Sequence, residues 1–419
     1  MKIYCSIKAC KNHTLGYFYH ISSRCPLCDA PADMPKIIKT QSNCNNVFSK
    51  YLSTIADLNT LPEKYSSIAK NIGNTPIFRS SNIERFTNVH TVYLKSELEN
   101  SSGSFKDRGT FTAVAGHAKK NGSDLIIGTV STGNMAISTI DIATKLGIPN
   151  FVVINSDIEK KKLEILKKMS GRNTNIFAVE GDYSQFHEIV YQALGELRAK
   201  GIPIFAELTD DFFRTVGYST ISAEIIDQFE YIPDNVVVCG ASGALYLAVI
   251  WYFEKAFEKK LIQKLPRVHL IQELGGDPIA HSYRNHKHQY MPLAKMEKGL
   301  VASAIDVTNS RSGGTVLQNI NESNGRNSVI AVSSKEIIKA SKLLTSLKIE
   351  AQVSSASVVA GLKKLQEANI VKADESALLI LTGKKEEKRT LKESKQNPKL
   401  IHCTQNNLQT TIINTYMNN

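Results

Sequence analysis

The most informative segment of the sequence is Ser102-Gly103-Ser104-Phe105-Lys106-Asp107-Arg108-Gly109. It places one lysine in a setting that favours covalent chemistry. Small, turn-forming residues precede Lys106, and the apolar run at 110–118 predicts the start of a buried helix. A lysine held at an apolar helix start loses hydration, which disfavours its ammonium form and leaves an amine that can attack a carbonyl. The stretch therefore predicts a lysine that forms a Schiff base.

Four further motifs accompany this stretch at spacings that make the set informative. They are Gly73-Asn74-Thr75-Pro76, Ser131-Thr132-Gly133-Asn134, Gly240-Ala241-Ser242-Gly243-Ala244 and Leu381-Thr382-Gly383. In this order the set resembles the fold-type II pyridoxal-phosphate enzymes, and within them the threonine synthase family, over residues 65–383. The resemblance implies an α/β fold like that of the tryptophan synthase β chain, with two doubly wound, mostly parallel domains.

The hydrophobic pattern agrees with this fold class. Continuous apolar runs such as Val236-Val237-Val238 are typical of strands that are covered on both faces, and they alternate with helical periodicity such as that at 134–146. We expect four parts: a zinc-ribbon-like appendage at 1–50, a large cofactor-binding domain at 51–130 plus 207–383, a small α/β domain at 131–206, and a flexible polar tail at 384–419.

Composition limits the class of partner. The seven cysteines are an odd number in a large chain, which argues against a disulfide scaffold and for the cytoplasm. No apolar run approaches the roughly 18 to 20 residues that span a bilayer, so no membrane partner is expected. Of the net charge of +12, residues 1–50 carry +5 and residues 384–399 carry +4, with no aromatic-basic stripe between them. This distribution argues against a nucleic-acid partner.

A phosphate site is predicted at Gly240, Ala241, Ser242, Gly243 and Ala244. These small residues join an apolar strand to an apolar helix, and a helix N-terminus offers unpaired N–H groups and positive potential to an anion. A tight strand-to-helix turn without a ligand is the alternative.

The resemblance implies roles for other residues around bound pyridoxal phosphate. Lys106 holds the cofactor and moves protons, Asn134 contacts its 3′ oxygen, and the Thr382 hydroxyl bonds its pyridine nitrogen without protonating it. Ser131 and Thr132 hold the substrate carboxylate. One departure is that Lys384-Lys385-Glu386-Glu387 follows Gly383, where the family continues with small and apolar residues.

Substrate recognition departs further from the family pattern. Arg214 keeps the place of an arginine that binds the substrate phosphate, and Thr209 occupies a hydroxyl position. Leu208 and Ala244 stand where the family has asparagines, and Asp306 replaces a basic residue. An ordinary surface arginine is an equally open reading of Arg214.

Cysteines near the N-terminus suggest a structural zinc site. Cys25 and Cys28 have the spacing of a zinc knuckle, whereas Cys5 and Cys10 are spaced more widely than in common ribbons. His13 or His20 could replace a ligand, and reduced cysteines without metal are the alternative.

The resemblance implies a carbon–oxygen lyase that converts O-phosphohomoserine and water into threonine and phosphate, and it also implies a homodimer. Its substrate would be a small amino acid that carries a phosphate. A β-replacement enzyme like cysteate synthase, acting on phosphoserine with sulfite, or a serine/threonine dehydratase stays open. A nucleic-acid-binding zinc-ribbon protein is the remote alternative.

Overall fold

The computed structural model describes residues 3–4, 14–15, 61–121, 125–181, 183–206, 212–286, 289–389 and 397–417. In these ranges strands and helices alternate, as in an α/β protein. Two parallel sheets form the framework, and a short antiparallel pair joins β1 (Ile3–Tyr4) to β2 (Thr14–Leu15). Among the residues described, no helix is both long enough and apolar enough to cross a membrane.

The larger sheet contains six strands within the described residues. In spatial order they are β11 (Ser328–Val332), β10 (Arg267–Glu273), β9 (Asn235–Cys239), β12 (Ser376–Leu381), β4 (Thr91–Ser96) and β3 (Ile77–Arg79). All neighbours are parallel except the edge strand β3, which is antiparallel to β4. Val236 and Val238 enter one apolar cluster while Val237 enters another, so the sheet is covered on both faces.

The second sheet has five described strands, all parallel. Their spatial order is β13 (Lys399–Thr404), β7 (Thr174–Glu180), β6 (Asn150–Asn155), β5 (Ile126–Val130) and β8 (Ile204–Ala206). Phe151 and Val153 pack in one cluster, whereas Val152 and Ile154 pack in another. The predicted α/β class with mostly parallel sheets is confirmed.

Helices supply the layers on both sheets. Those described are α1 (Glu63–Ala69), α2 (Ser81–Thr87), α3 (Lys106–Asn121), α4 (Asn134–Leu146), α5 (Lys160–Met169), α6 (Tyr183–Ala199), α7 (Phe212–Gln228), α8 (Ala244–Glu258), α9 (Pro278–His286), α10 (Gly313–Glu322), α11 (Ser334–Ser346), α12 (Val353–Glu367) and α13 (Leu408–Met417). Local signals fix their ends: Ser333 and Glu336 form a capping box at the start of α11, and Gly147, with φ of 68°, ends α4.

The expectation of a flexible tail over 384–419 is wrong for β13 and α13. The strand β13 pairs with β7, and Leu408, Ile412 and Tyr416 are buried in the core of the second sheet. These three residues recur every fourth position, which gives α13 an apolar face despite the many polar residues between them. The second sheet also includes β5, which precedes the predicted start of the small domain at residue 131. The division into domains otherwise stays a prediction.

Candidate active site

The loop that carries Lys106 is fastened to the end of β12. The Phe105 N–H donates to the Thr382 carbonyl at 3.1 Å, and the Lys384 N–H donates to the Gly103 carbonyl at 2.8 Å. Gly103 has φ of 78°, a left-handed conformation that favours glycine. Two motifs separated by more than 270 residues in the chain are therefore in contact.

Lys106 is the first residue of α3 and is half-buried. Its Nζ lies 4.5 Å from the centroid of the Phe105 ring and 5.4 Å from that of Tyr218. Aromatic faces at these distances stabilise the ammonium form, whereas burial opposes it. The amine is thus held in a partly apolar setting, on a loop that is bonded to the C-terminal end of β12.

Buried carboxylates hold the same turn through hydrogen bonds and ion pairs. The Asp107 carboxylate accepts from the Ser102 N–H at 2.6 Å and from the Ser138 hydroxyl at 2.7 Å. Burial, together with the charge of Asp141, raises the pKa of Asp107 to about 6. Arg108 binds Glu97 and Glu224 in an ion-pair network with no exposed side chain. These contacts fix the turn from which Lys106 projects.

The predicted phosphate loop joins β9 to α8. Gly243 has φ of 84°, and a Cβ there would lie 2.5 Å from Cγ2 of Val316. Gln272 donates to the Gly240 carbonyl at 3.3 Å, and the Ser312 N–H donates to the Ser242 carbonyl at 3.2 Å. A loop whose carbonyls are held in this way can direct the N–H groups of the helix start toward an anion.

The loop with Ser131 and Thr132 leads from β5 into α4. Both residues are half-buried, and no described atom lies within 4 Å of a Cβ built on Gly133. This open space adjoins Asn134, the first residue of α4. The Asn134 side chain donates to Gln352 at 2.8 Å and accepts from it at 3.2 Å, and it also accepts from Arg389.

Thr382 lies at the exit of β12 and is almost fully buried. Its hydroxyl is 3.0 Å from that of Ser355 and 3.6 Å from the thiol of Cys239. Burial raises the pKa of the Cys239 thiol. A hydroxyl held by two neutral groups can bond a ring nitrogen without supplying a charge.

Arg214 is 5% exposed, so the reading as a surface arginine is wrong. Its Nε donates to the Tyr218 hydroxyl at 2.6 Å, and Tyr218 is the same ring that lies near Lys106. Burial and the charges of Arg311 and Arg214 lower the pKa of His187 to about 4. Arg214 and Arg311 are therefore close enough to His187 to act on its charge.

Thr209, Leu208 and the four cysteines at 5, 10, 25 and 28 lie outside the described residues. Sequence reasoning missed four residues that contact the site: Tyr218, Gln352, Ser355 and Arg389. Tyr218 had a local signal, because it lies one helical turn beyond Arg214.

Comparison with known proteins identifies the family. Residues 68–383 match the family model described as pyridoxal-phosphate dependent enzyme. Threonine synthase of Methanocaldococcus jannaschii is 32% identical, over 80% of this chain and 81% of that protein. Threonine synthase of Methanosarcina acetivorans is 26% identical, over 87% and 91% respectively.

Solved structures share the fold. Maize serine racemase superimposes with a TM-score of 0.61 at 20% identity, covering 79% of this chain and 95% of that one. Processed threonine deaminase isoform 2 from Solanum lycopersicum gives 0.62 at 17% identity, covering 84% and 90%. The resemblance drawn from the motifs, to fold-type II pyridoxal-phosphate enzymes and to threonine synthases among them, is confirmed. The chain belongs to the family of pyridoxal-phosphate-dependent enzymes.

Proposed function

We propose that this enzyme converts O-phosphohomoserine and water into threonine and phosphate. The observation that carries the proposal is the pair of main-chain hydrogen bonds between the Lys106 loop and the residues that follow β12. The chain is also similar to a threonine synthase over four fifths of its length. These bonds bring Lys106, the candidate Schiff-base lysine, to the end of the buried strand β12, where Thr382 supplies a hydroxyl. Sequence similarity supplies the substrate class.

The residues present fit pyridoxal phosphate. The loop at 240–244 contains Gly243, where any side chain would collide with Val316, and it begins a helix that can receive the phosphate. Lys106 would bind the cofactor covalently, Thr382 would hold its ring nitrogen, and Asn134 would hold its 3′ oxygen. When bound, the cofactor withdraws electrons from the substrate and thereby eases the loss of protons next to the amino group.

The chain's own side chains would orient the substrate and move its protons. Ser131 and Thr132 would bind the carboxylate, while Arg214 and Thr209 would bind the phosphate. Lys106 Nζ would take protons from Cα and Cβ as phosphate leaves from Cγ. It would then return one of these protons to Cγ, while the other would leave with the phosphate. Water would add its hydroxyl at Cβ and its proton at Cα.

Replaced residues at positions that bind phosphate in the family support a second candidate function. Ala244 offers no polar side chain at the start of α8, and burial together with Glu273 raises the pKa of Asp306 to about 7. With Leu208, two positions thus lack the family's asparagine, and Asp306 replaces a basic residue. A β-replacement of phosphoserine by sulfite, or dehydration of serine or threonine, would not need residues that bind a phosphate on Cγ.

The test compares turnover of phosphohomoserine, phosphoserine with sulfite, and threonine, while phosphate and keto acid are measured. We expect phosphate and threonine from phosphohomoserine, together with a visible absorbance band from lysine-bound cofactor. Lys106→Ala should lose both the band and the turnover, whereas Lys161→Ala, which removes an exposed lysine in α5, should keep them. Absence of phosphate release from phosphohomoserine would exclude the threonine synthase reaction.

A structural zinc site is a further part of the proposal. In the described ranges no cluster of His, Cys, Asp or Glu could hold a metal ion, but Cys5, Cys10, Cys25 and Cys28 lie outside them. Their spacing supports a site, and elemental analysis of the purified protein should find about one zinc per chain. A homodimer and a cytoplasmic location stay predictions.

A further inference from the structure

Arg389 lies on the segment that leaves β12, after a short 3-10 turn at Glu386–Lys388. Its Nε and Nη2 donate to the Lys384 carbonyl at 3.2 and 3.1 Å. Nη2 also donates to Oδ1 of Asn134. A Cβ built on Gly103 would lie 3.3 Å from Cγ of Arg389. The side chain therefore runs along the Lys106 loop and ends at the first residue of α4.

The Arg389 guanidinium is incompletely satisfied. Within the described residues its Nη1 is buried without a hydrogen-bond partner, and no carboxylate there forms an ion pair with the guanidinium. Burial lowers the pKa of Arg389, with partial compensation from the charges of Glu386 and Asp107. A buried cationic donor without a partner is costly unless a ligand supplies an acceptor.

The contacts around Asn134 define what that ligand must be. Oδ1 of Asn134 already accepts from Gln352 and Arg389, and one N–H of its Nδ2 donates to Gln352. The second N–H of Nδ2 and the N–H groups of Arg389 Nη1 remain. The pair thus offers donors only, one of them cationic, and such a pair selects an oxyanion.

We propose that Arg389 is an oxyanion-binding residue of the active site, acting beside Asn134. This inference rests on the proposed function and deepens it. The oxyanion belongs either to the cofactor, as its 3′ oxygen, or to the substrate, as its carboxylate, because both are expected at the 131–134 loop. The basic segment that departs from the family pattern after Gly383 would thereby contribute a binding residue.

The experiment uses the full-length protein with Arg389→Gln, Arg389→Lys and the matched control Lys388→Ala, which removes an exposed positive charge one residue away. Pyridoxal phosphate affinity and the pH titration of the visible band are measured without amino acid. Affinities for threonine and for 1-amino-2-propanol, which lacks the carboxylate, are then measured from changes in the band. Thermal melting of each variant reports folding.

Each source of the oxyanion gives a different result. If the cofactor supplies it, Arg389→Gln weakens cofactor binding roughly 10- to 100-fold and shifts the titration of the band. If the carboxylate supplies it, the resting band is unchanged and threonine affinity falls by a similar factor, while 1-amino-2-propanol binds as before. Arg389→Lys, which keeps the charge, should restore part of the lost affinity.

Equal behaviour of Arg389→Gln and Lys388→Ala in both measurements would overturn the inference. If Arg389→Gln does not fold, the same comparison is decided by Arg389→Lys, whose unchanged affinities would likewise overturn it. A wild-type protein that forms no visible band would instead refute the proposed function, and this inference with it. The two failures are therefore distinguishable.

Discussion

Arg108 and Arg389 both lie beside the Lys106 loop, but their surroundings differ. Arg108 is fully buried, and its Nε and Nη2 are each 2.7 Å from carboxylate oxygens, of Glu97 and Glu224 respectively. Arg389 instead meets a carbonyl and an amide oxygen. Burial alone would lower the pKa of Arg108, but Glu224 and Glu97 raise it, whereas burial lowers the pKa of Arg389.

The difference indicates that the charge of Arg108 stabilises the fold, whereas Arg389 still has a donor that can bind a ligand. The carboxylates around Arg108 also receive Lys95 Nζ, at 2.8 Å from Glu224, and the N–H of Asn74 from the Gly73-Asn74-Thr75-Pro76 motif. This motif therefore serves the ion-pair network under the active site. Each of the three guanidinium nitrogens of Arg108 has a partner, while one nitrogen of Arg389 has none among the residues that the structure describes.

Removing Arg108 should have the largest effect. Arg108→Met leaves Glu97 and Glu224 buried without their main counter-charge, so the free energy of unfolding should fall by about 3–5 kcal/mol. Denaturant unfolding measures the loss. The matched control is Arg79→Met, which removes the exposed partner of a half-buried Glu84 and should cost less than about 1 kcal/mol. Equal stability of the two variants would show that the network does not hold the turn.

Acid should weaken the same network. Burial alone would raise the pKa of Glu224, but Arg108 and Lys95 lower it to about 2, from an ordinary value of 4.5. A lowered carboxyl pKa gives stability that is complete above 4.5 and is lost as pH falls toward 2. The loss should reach about 3 kcal/mol. Unfolding measured across this window should show a smaller pH dependence in Glu224→Gln, and an identical dependence would contradict the assignment.

The cofactor cradle should be less sensitive than the ion-pair network. Gly243→Ala places a methyl group 2.5 Å from Val316 at a residue with φ of 84°. It should cost about 1–3 kcal/mol in unfolding free energy and weaken cofactor binding. Gly195→Ala is the control, because no described atom lies within 4 Å of its Cβ in α6. That control should be neutral or slightly stabilising, and similar losses in both would remove the steric argument.

How much the sequence could predict follows from the range of the interactions. The run Val236-Val237-Val238 was predicted as a strand covered on both faces and lies in β9, because such burial requires continuous apolar residues. The role of Arg108 was not predicted, because Glu224 lies 116 residues away. Arg389 was missed for the same reason, since Asn134 lies 255 residues away and a run of lysines and glutamates resembles a solvated tail.

Replacing Arg389 should have the smallest effect on stability, and this expectation completes the comparison. Arg389→Met keeps the buried apolar stem but removes a charge with an unsatisfied donor, so unfolding free energy should change by less than about 1 kcal/mol or rise. Asn134 Oδ1 would keep its bond from Gln352. The measurement is denaturant unfolding of the cofactor-free protein. A loss as large as that of Arg108→Met would mean that Arg389 also holds the fold, because a side chain kept for a ligand should be dispensable when no ligand is bound.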